Sequence, residues 1–193
     1  MPLVPKGQSV LLSKEASSPE VKKFKAGAGW DPATEGEKID LDLVAIKLKG
    51  GKGYDKDGNG TSEVDECVAY YGNITHQPVG LQLDKDDRDG SSSSDGPDET
   101  MAIDLTAIEP DVDEILIMVA SYSGQTFDEV KNVFASLMEN DKEVVRADLA
   151  AEHAGKGAVV VAKLTRNGND WSFTHVGEGY ANSDEVLNKY QIS

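Results

Sequence analysis

Carboxylates are the side chains of this sequence whose spacing could do chemistry. Residues 84–99 read DKDDRDGSSSSDGPDE, seven acids in sixteen positions, opposed only by Lys85 and Arg88. Asp86, Asp87, Asp89, Asp95, Asp98 and Glu99 offer hard oxygen ligands, while Gly90 and Gly96 permit tight turns that aim carbonyls inward. A calcium ion takes roughly 6–8 such oxygens at about 2.3–2.6 Å and tolerates irregular wrapping. Composition alone also allows a solvated, disordered linker.

Two more groups of acids lie upstream. In IDLDLVAIKLK (39–49), Ile39, Leu41 and Leu43 share one face of a strand. That leaves Asp40 and Asp42 together on the other, roughly 7 Å apart along the chain. The apolar phase then shifts to Val44, Ile46 and Leu48, so a bulge near Leu43 is expected. Asp31 closes the tripeptide GWD before this strand. Residues 55–66, DKDGNGTSEVDE, set Asp55, Asp57, Asn59, Gly60 and Glu66 in the register of an EF-hand loop. The flanks are strand-like rather than helical, and Ser62 stands where an apolar residue would pair with a sister loop. The segment therefore reads as a long hairpin connection, with a weak second cation site as the alternative.

The elements that must position these acids are mostly strands. Short apolar runs separated by turn formers recur at 9–13, 21–30, 39–49, 67–72, 101–105, 114–123, 142–149 and 157–177, the last with Asn167-Gly168 as a hairpin signal. Such a series predicts a mainly β protein, a β-sandwich of two sheets. Thr126 and Glu129 form a capping-box pattern, and Phe127, Val130, Val133, Phe134 and Leu137 follow at helical spacing. A short C-terminal helix capped by Asn182 or Ser183 is expected. No Pro/Gly-rich stretch separates two cores, so residues 1–193 read as one domain.

Other chemistry has little support. His76, His153 and His175 are scattered without zinc spacing. GAG at 27–29 lacks the GK[ST] of a phosphate loop, and Ser123 and Ser172 lack a nucleophile elbow. Cys67, the only cysteine, sits in an apolar run, reads as a buried structural thiol and forbids an intrachain disulfide. Trp30, Trp171 and Tyr180 read as core or rim aromatics. Acids outnumber bases 35 to 19, a net charge of −16 that argues against nucleic acid and anionic membranes and favours cations. There is no secretory h-region, and ILIMVA (115–120) is too short to span a bilayer, so a cytoplasmic protein without membrane insertion is expected.

KGQSVLLSKE, GAGWD at 27–31, IDLDLVAIKL at 39–48 and the acid/glycine loop ending in DE at 98–99 occur in the order found in one family. IDLTAIEPDVDEILIMV (103–119), FDEVKNVFASLM (127–138), VVRADL (144–149) and WSFTHVGEGYA (171–181) continue the likeness over essentially the whole chain. The sequence resembles the TerD/TerE family of bacterial tellurite-resistance and general-stress proteins. The resemblance implies a Ca²⁺-binding, non-catalytic β-sandwich with its cations at one end. By position, Asp31, Asp40, Asp42, Asp86, Asp87, Asp89, Asp95, Asp98 and Glu99 match the ligands. Two Ca²⁺ ions are implied, with a third if the 55–66 loop also binds, and other proteins of the same stress system as partners. It further implies that the helix at 127 stops near Asn132 and that 133–138 is a strand. The chain departs from the family pattern in its four serines at 91–94, in Pro97 where an Asp is expected, and in a longer insertion at 55–63. Two rival classes use the same acids: a Ca²⁺-dependent lipid- or protein-bridging module, and a Mg²⁺- or Mn²⁺-dependent hydrolase.

Overall fold

Chain segments rich in β-branched and aromatic residues form twelve strands among the residues described by the computed structural model, which are 4–12, 23–31, 38–91, 93, 96–139 and 142–193. These are β1 (Ser9–Leu11), β2 (Lys23–Asp31), β3 (Leu41–Lys49), β4 (Lys52–Gly53), β5 (Val68–Ala69) and β6 (Leu81–Leu83). They continue as β7 (Glu99–Asp104), β8 (Glu114–Ser121), β9 (Lys131–Glu139), β10 (Lys142–Asp148), β11 (Ala158–Asn167) and β12 (Asp170–Tyr180). One sheet runs β1-β12-β11-β8-β3-β4, with β5 also on β3, and the other runs β10-β9-β2-β7-β6. All pairings are antiparallel, and β3 lies against β2 and β7 across the sandwich. Three short helices are described: α1 (Val64–Cys67), α2 (Leu149–Glu152) and α3 (Ser183–Lys189).

The bulge expected near Leu43 is absent. β3 pairs with β8 in unbroken register from Leu41↔Ser121 to Leu48↔Glu114. The apolar phase changes for another reason: every residue from Leu41 to Leu48 is buried, so both faces of this strand are covered. A strand covered on both faces does not alternate. The even face, with Val44 beside Met118, lies under Tyr70, Tyr71 and Leu187 of α3.

The helix expected over 127–137 is also overturned. The capping box is real, since Thr126 N–H donates to Glu129 Oε2 at 2.7 Å. It caps only one 3-10 turn, Phe127–Glu129, after which the chain becomes β9. Val133, Ala135 and Leu137 are buried at a period of two, and Phe134 lies on the opposite face under the Arg146 guanidinium, 3.6 Å from its ring centroid. Pairing with β2 on one side and β10 on the other outweighs the helical spacing. A register shift opposite Gly29/Asp31 accommodates Asn132, whose φ of 52° is left-handed. The change to strand implied by the family resemblance is correct, but it comes earlier: the turn ends at Glu129 and β9 begins at Lys131.

The run at 67–72 is not one strand: it holds the end of α1, the two-residue β5 and a 3-10 turn at Tyr71–Asn73. The β11–β12 turn is shifted by one residue, because Asn167 pairs with Asp170 and Gly168 (φ +63°) takes the first turn position. Asn182 is the cap of α3, its side chain accepting from Glu185 N–H at 3.1 Å. Trp30, Trp171 and Cys67 are buried as expected, and burial pushes the Cys67 thiol up to about 11.

Lys47 is fully buried, and its Nζ donates to Glu109 Oε2 at 2.6 Å, while burial lowers the ammonium pKa below its ordinary value. Removing Glu109 strands the buried Lys47 charge, whereas an apolar chain of similar volume at position 47 leaves the charge on Glu109, whose side chain is 20% exposed and can be solvated. We therefore expect Glu109→Ala to lower stability by about 3 kcal/mol or more and Lys47→Met to cost far less. Urea unfolding of the two variants checks this, and equal losses would contradict it.

Candidate metal centre

The acids converge at the end of the sandwich where β2 finishes and β3 and β7 begin. Asp40, one residue before β3, Asp42 within it, and Asp86 from the 84–99 loop each place a carboxylate oxygen within 4.8 Å of the other two. Asp42 is only 5% exposed. Burial, then the charges of Asp40 and Asp86, push its carboxyl up to about 7. Asp40 is raised as well, by burial and by Asp86, Asp87 and Asp89, against the lowering effect of Arg88, whose Nε stands 3.8 Å from Asp40 Oδ2. The other oxygen of Asp40, Oδ1, is buried with no hydrogen-bond partner among the described residues. Its backbone is held by Ser123, whose Oγ accepts from Asp40 N–H at 2.9 Å.

Glu99 lies behind this group and is completely buried. Its Oε2 accepts from Leu43 N–H at 2.8 Å and its Oε1 from Asp87 N–H at 3.0 Å. Burial raises it to about 8, with the charges of Asp42 and Asp86 adding and the two N–H donors opposing. Asp87 continues the chain of contacts, since its Oδ1 accepts from Asp89 and Gly90 N–H at 3.1 and 2.8 Å. Gly90 is required here: its φ is +69°, and a Cβ would sit 2.5 Å from the Trp30 carbonyl oxygen.

A second group faces a neighbouring cavity of about 320 Å³ lined by Trp30, Asp31, Ser93, Asp98, Phe134 and Arg146. Asp98 is 2% exposed, with Oδ2 accepting from Trp30 N–H and Oδ1 from Ser93 N–H, both at 2.9 Å. Burial raises its pKa, with the charges of Asp87 and Asp31 adding. Asp31 Oδ2 accepts from Asn132 Nδ2 at 2.7 Å. Asp98, in the bend before β7, and Glu99, the first residue of that strand, serve opposite sides. One turns toward Asp31 and the other toward Asp40, Asp42 and Asp86.

The structure thus gathers Asp40, Asp42 and Asp86 in one place and Asp31 and Asp98 in another, with Asp87 and Glu99 anchored between strand and loop. Asp89 stands at the edge, its Oδ1 accepting from Ser91 N–H at 3.2 Å, and Asp95 lies outside the described residues. Pro97 packs over β2, where a Cβ on Gly27 would come within 2.9 Å of the Pro97 Cβ. Ser93 takes part through its backbone, while its Oγ accepts from Gly96 N–H at 2.7 Å. The sequence reading missed Ser123 and Asn132, which act from 83 and 101 residues away. No local spacing could have found them.

At 55–66 the carboxylates of Asp55, Asp57 and Glu66 also approach within 4.8 Å. Here the backbone already answers them. Asp55 accepts from the N–H groups of Gly58, Asn59 and Gly60, which hold its carboxyl below the usual range, and Glu66 accepts from Lys56 N–H at 3.2 Å. Asn59 bonds through its own side chain to Asp57 and Thr61. One turn of helix follows, α1, and Ser62 bridges to Ile192 at the C-terminal end instead of to a sister loop.

Two antiparallel sheets closed at one end by buried carboxylates define the class: an acidic-ended β-sandwich. The TerD domain family matches residues 3–190. The tellurium resistance protein TerD of Serratia marcescens is 33% identical over 183 residues, which cover 91% of this chain and 89% of that one. Stress response protein SCP2 of Bacillus subtilis is 27% identical over 205 residues, 96% of each. The crystal structure of a homologue of telluride resistance protein (TerD) from Streptomyces coelicolor superposes with a TM-score of 0.67 over 88% of this chain and 95% of that one, at 22% identity, and so shares the fold. The chain belongs to the TerD family of tellurium-resistance and stress-response proteins. Among the described residues no helix is long and apolar enough to cross a membrane.

The raised carboxyls set the sign of a pH effect. Asp42 and Glu99 hold protons in the folded protein that the unfolded chain has already released, so their stability contribution is full below about pH 4 and is lost as pH rises through about 7 and about 8. We expect the melting temperature in EDTA to fall between about pH 5 and 8 and level off above, and the fall to shrink in Asp42→Asn. A flat profile in the parent protein would show that these carboxyls ionise freely.

Proposed function

We propose that this TerD-family protein is a Ca²⁺-binding, non-catalytic stress protein that works through Ca²⁺-dependent order of its acidic end and through the partners that end recruits. The observation that carries the reading is the buried, unpartnered Asp40 Oδ1 beside the buried Asp42 and the facing Asp86. A buried carboxylate oxygen without a donor is costly, and crowding three acids multiplies that cost. The donor set is all hard oxygen, which suits Ca²⁺ and gives no softer ligand a role.

Asp40, Asp42 and Asp86 would hold one ion, and Asp31 with Asp98 would contribute to a second. Bound Ca²⁺ supplies the positive charge that lets these acids ionise together. Glu99 and Asp98 meanwhile keep the loop in place through backbone N–H groups, which supports a structural rather than a proton-moving role. Tellurium resistance, named for the Serratia relative, comes to this chain as the process in which it acts, with proteins of the same system as its partners. The cytoplasm is the proposed setting, in keeping with Cys67 as a buried free thiol.

Millimolar Ca²⁺ should raise the melting temperature above that in EDTA, and Mg²⁺ should do less, because its octahedron is tighter and it gives up water reluctantly. Asp42→Asn keeps the volume and one oxygen but removes the charge. It should weaken Ca²⁺ binding at least about tenfold, equivalent to 1.4 kcal/mol, and leave the amides of the 86–99 loop fast-exchanging in Ca²⁺. Identical melting curves with and without Ca²⁺ would sink the reading.

The 55–66 loop ranks second, because its carboxylates are already satisfied. Calorimetry on Asp55→Ala combined with Asp57→Ala should show at most one ion lost. Loss of all Ca²⁺ binding would reverse the ranking.

A further inference from the structure

We propose that the cavity beside the acidic end binds an organic cation with an apolar body, such as an aromatic or alkyl ammonium. It encloses about 550 Å³ on the outer face of the larger sheet, a volume in the range of small-molecule sites. Three tyrosines form one wall in an edge-to-face series. Tyr70 and Tyr71 have ring centroids 5.3 Å apart at 79°, and Tyr71 and Tyr122 are 5.1 Å apart at 71°. Tyr122 ends the series at 61% exposure, one of two large apolar side chains so exposed among the described residues. Half-buried Val64 and Leu187 supply apolar surface, over the buried Val44 and Met118.

Charge selects the occupant. Asp184, and Asp42 once it ionises, line the cavity, and among the described residues no Lys, Arg or His does. Aromatic faces carry a negative quadrupole that attracts cations, so tyrosines and carboxylates act in the same direction. An anion would meet like charge from the acids, against only neutral donors such as Ser121, Asn182 and Ser183. A neutral apolar molecule would gain nothing from the acids, and a bare metal ion could not use the apolar surface. An ammonium on an apolar body uses all three features, and covering Tyr122 removes an exposed aromatic from water.

Asp42 also belongs to the proposed metal cluster, but Tyr122 and Asp184 do not. The test uses those two, so it stands apart from the metal reading. Benzyltrimethylammonium is titrated calorimetrically into the full chain in EDTA, at about 150 mM salt to screen the acidic surface. Benzyl alcohol and benzenesulfonate serve as neutral and anionic counterparts. We expect the cation to bind at least about tenfold more tightly than benzyl alcohol, and benzenesulfonate not to bind. Tyr122→Ala and Asp184→Asn, both at exposed positions, should each weaken the cation about fivefold or more while melting and titrating with Ca²⁺ like the parent. No binding, equal binding of all three probes, or parental affinity in both variants would overturn the proposal. Ca²⁺ titration of the same samples keeps the two ideas separate, since either ligand can fail while the other binds.

Discussion

The acidic end depends on one buried carboxylate. Glu99 begins β7 in the five-stranded sheet, yet its two oxygens accept N–H groups from Leu43 in the other sheet and from Asp87 in the loop. A single side chain therefore joins both layers of the sandwich to the loop that closes it. A buried hydrogen bond is costly to leave half-made, and losing the acceptor would strand two N–H donors. Asp98, the preceding residue, ties Trp30 of the five-stranded sheet to Ser93 of the loop. The loop backbone is thus set by two acids that face inward, which leaves Asp86 to face Asp40 and Asp42.

This arrangement concentrates like charge where water is scarce. Asp40, Asp42, Asp98 and Glu99 are all pushed toward their neutral forms, mainly by burial and also by neighbouring acids such as Asp86 and Asp87. The 55–66 loop shows the opposite tendency, with Asp55 held in its charged form by backbone donors. Two acidic loops of similar composition therefore differ in their need for a cation. One has supplied its own donors, and the other has an oxygen, Asp40 Oδ1, that no group among the described residues satisfies. The electrostatic problem at the end of the sandwich is what a bound cation would solve.

Much of the fold was legible in the sequence where one face of a strand is wet and the other dry. It failed where tertiary contacts cover both. β3 shifts its apolar phase without a bulge, because α3 and the Tyr70–Tyr71 segment bury its second face. The run from Phe127 to Leu137 carries helical spacing, but Val133, Ala135 and Leu137 go inward at a period of two once β2 and β10 flank them. The capping box at Thr126 was read correctly and still opened only one turn. A local signal can start an element, but its length depends on what lies beside it.

By itself the sequence determined the abundance of short strands, the excess of acid, the solitary thiol and the places where carboxylates cluster along the chain. These are properties of composition and near-neighbour spacing, which hydrophobic burial and turn chemistry translate directly. Only the tertiary structure decided which acids meet. Asp40 and Asp42 reach Asp86 across more than 40 residues of intervening chain, and Asp31 finds Asn132 through a left-handed residue at a strand irregularity. It also separated acids that face each other from acids that anchor the loop, a distinction between Asp86 and Glu99 that residue type cannot express. The reason is physical: a carboxylate's role is set by the donors and charges around it, and those arrive from distant strands only when the sandwich closes.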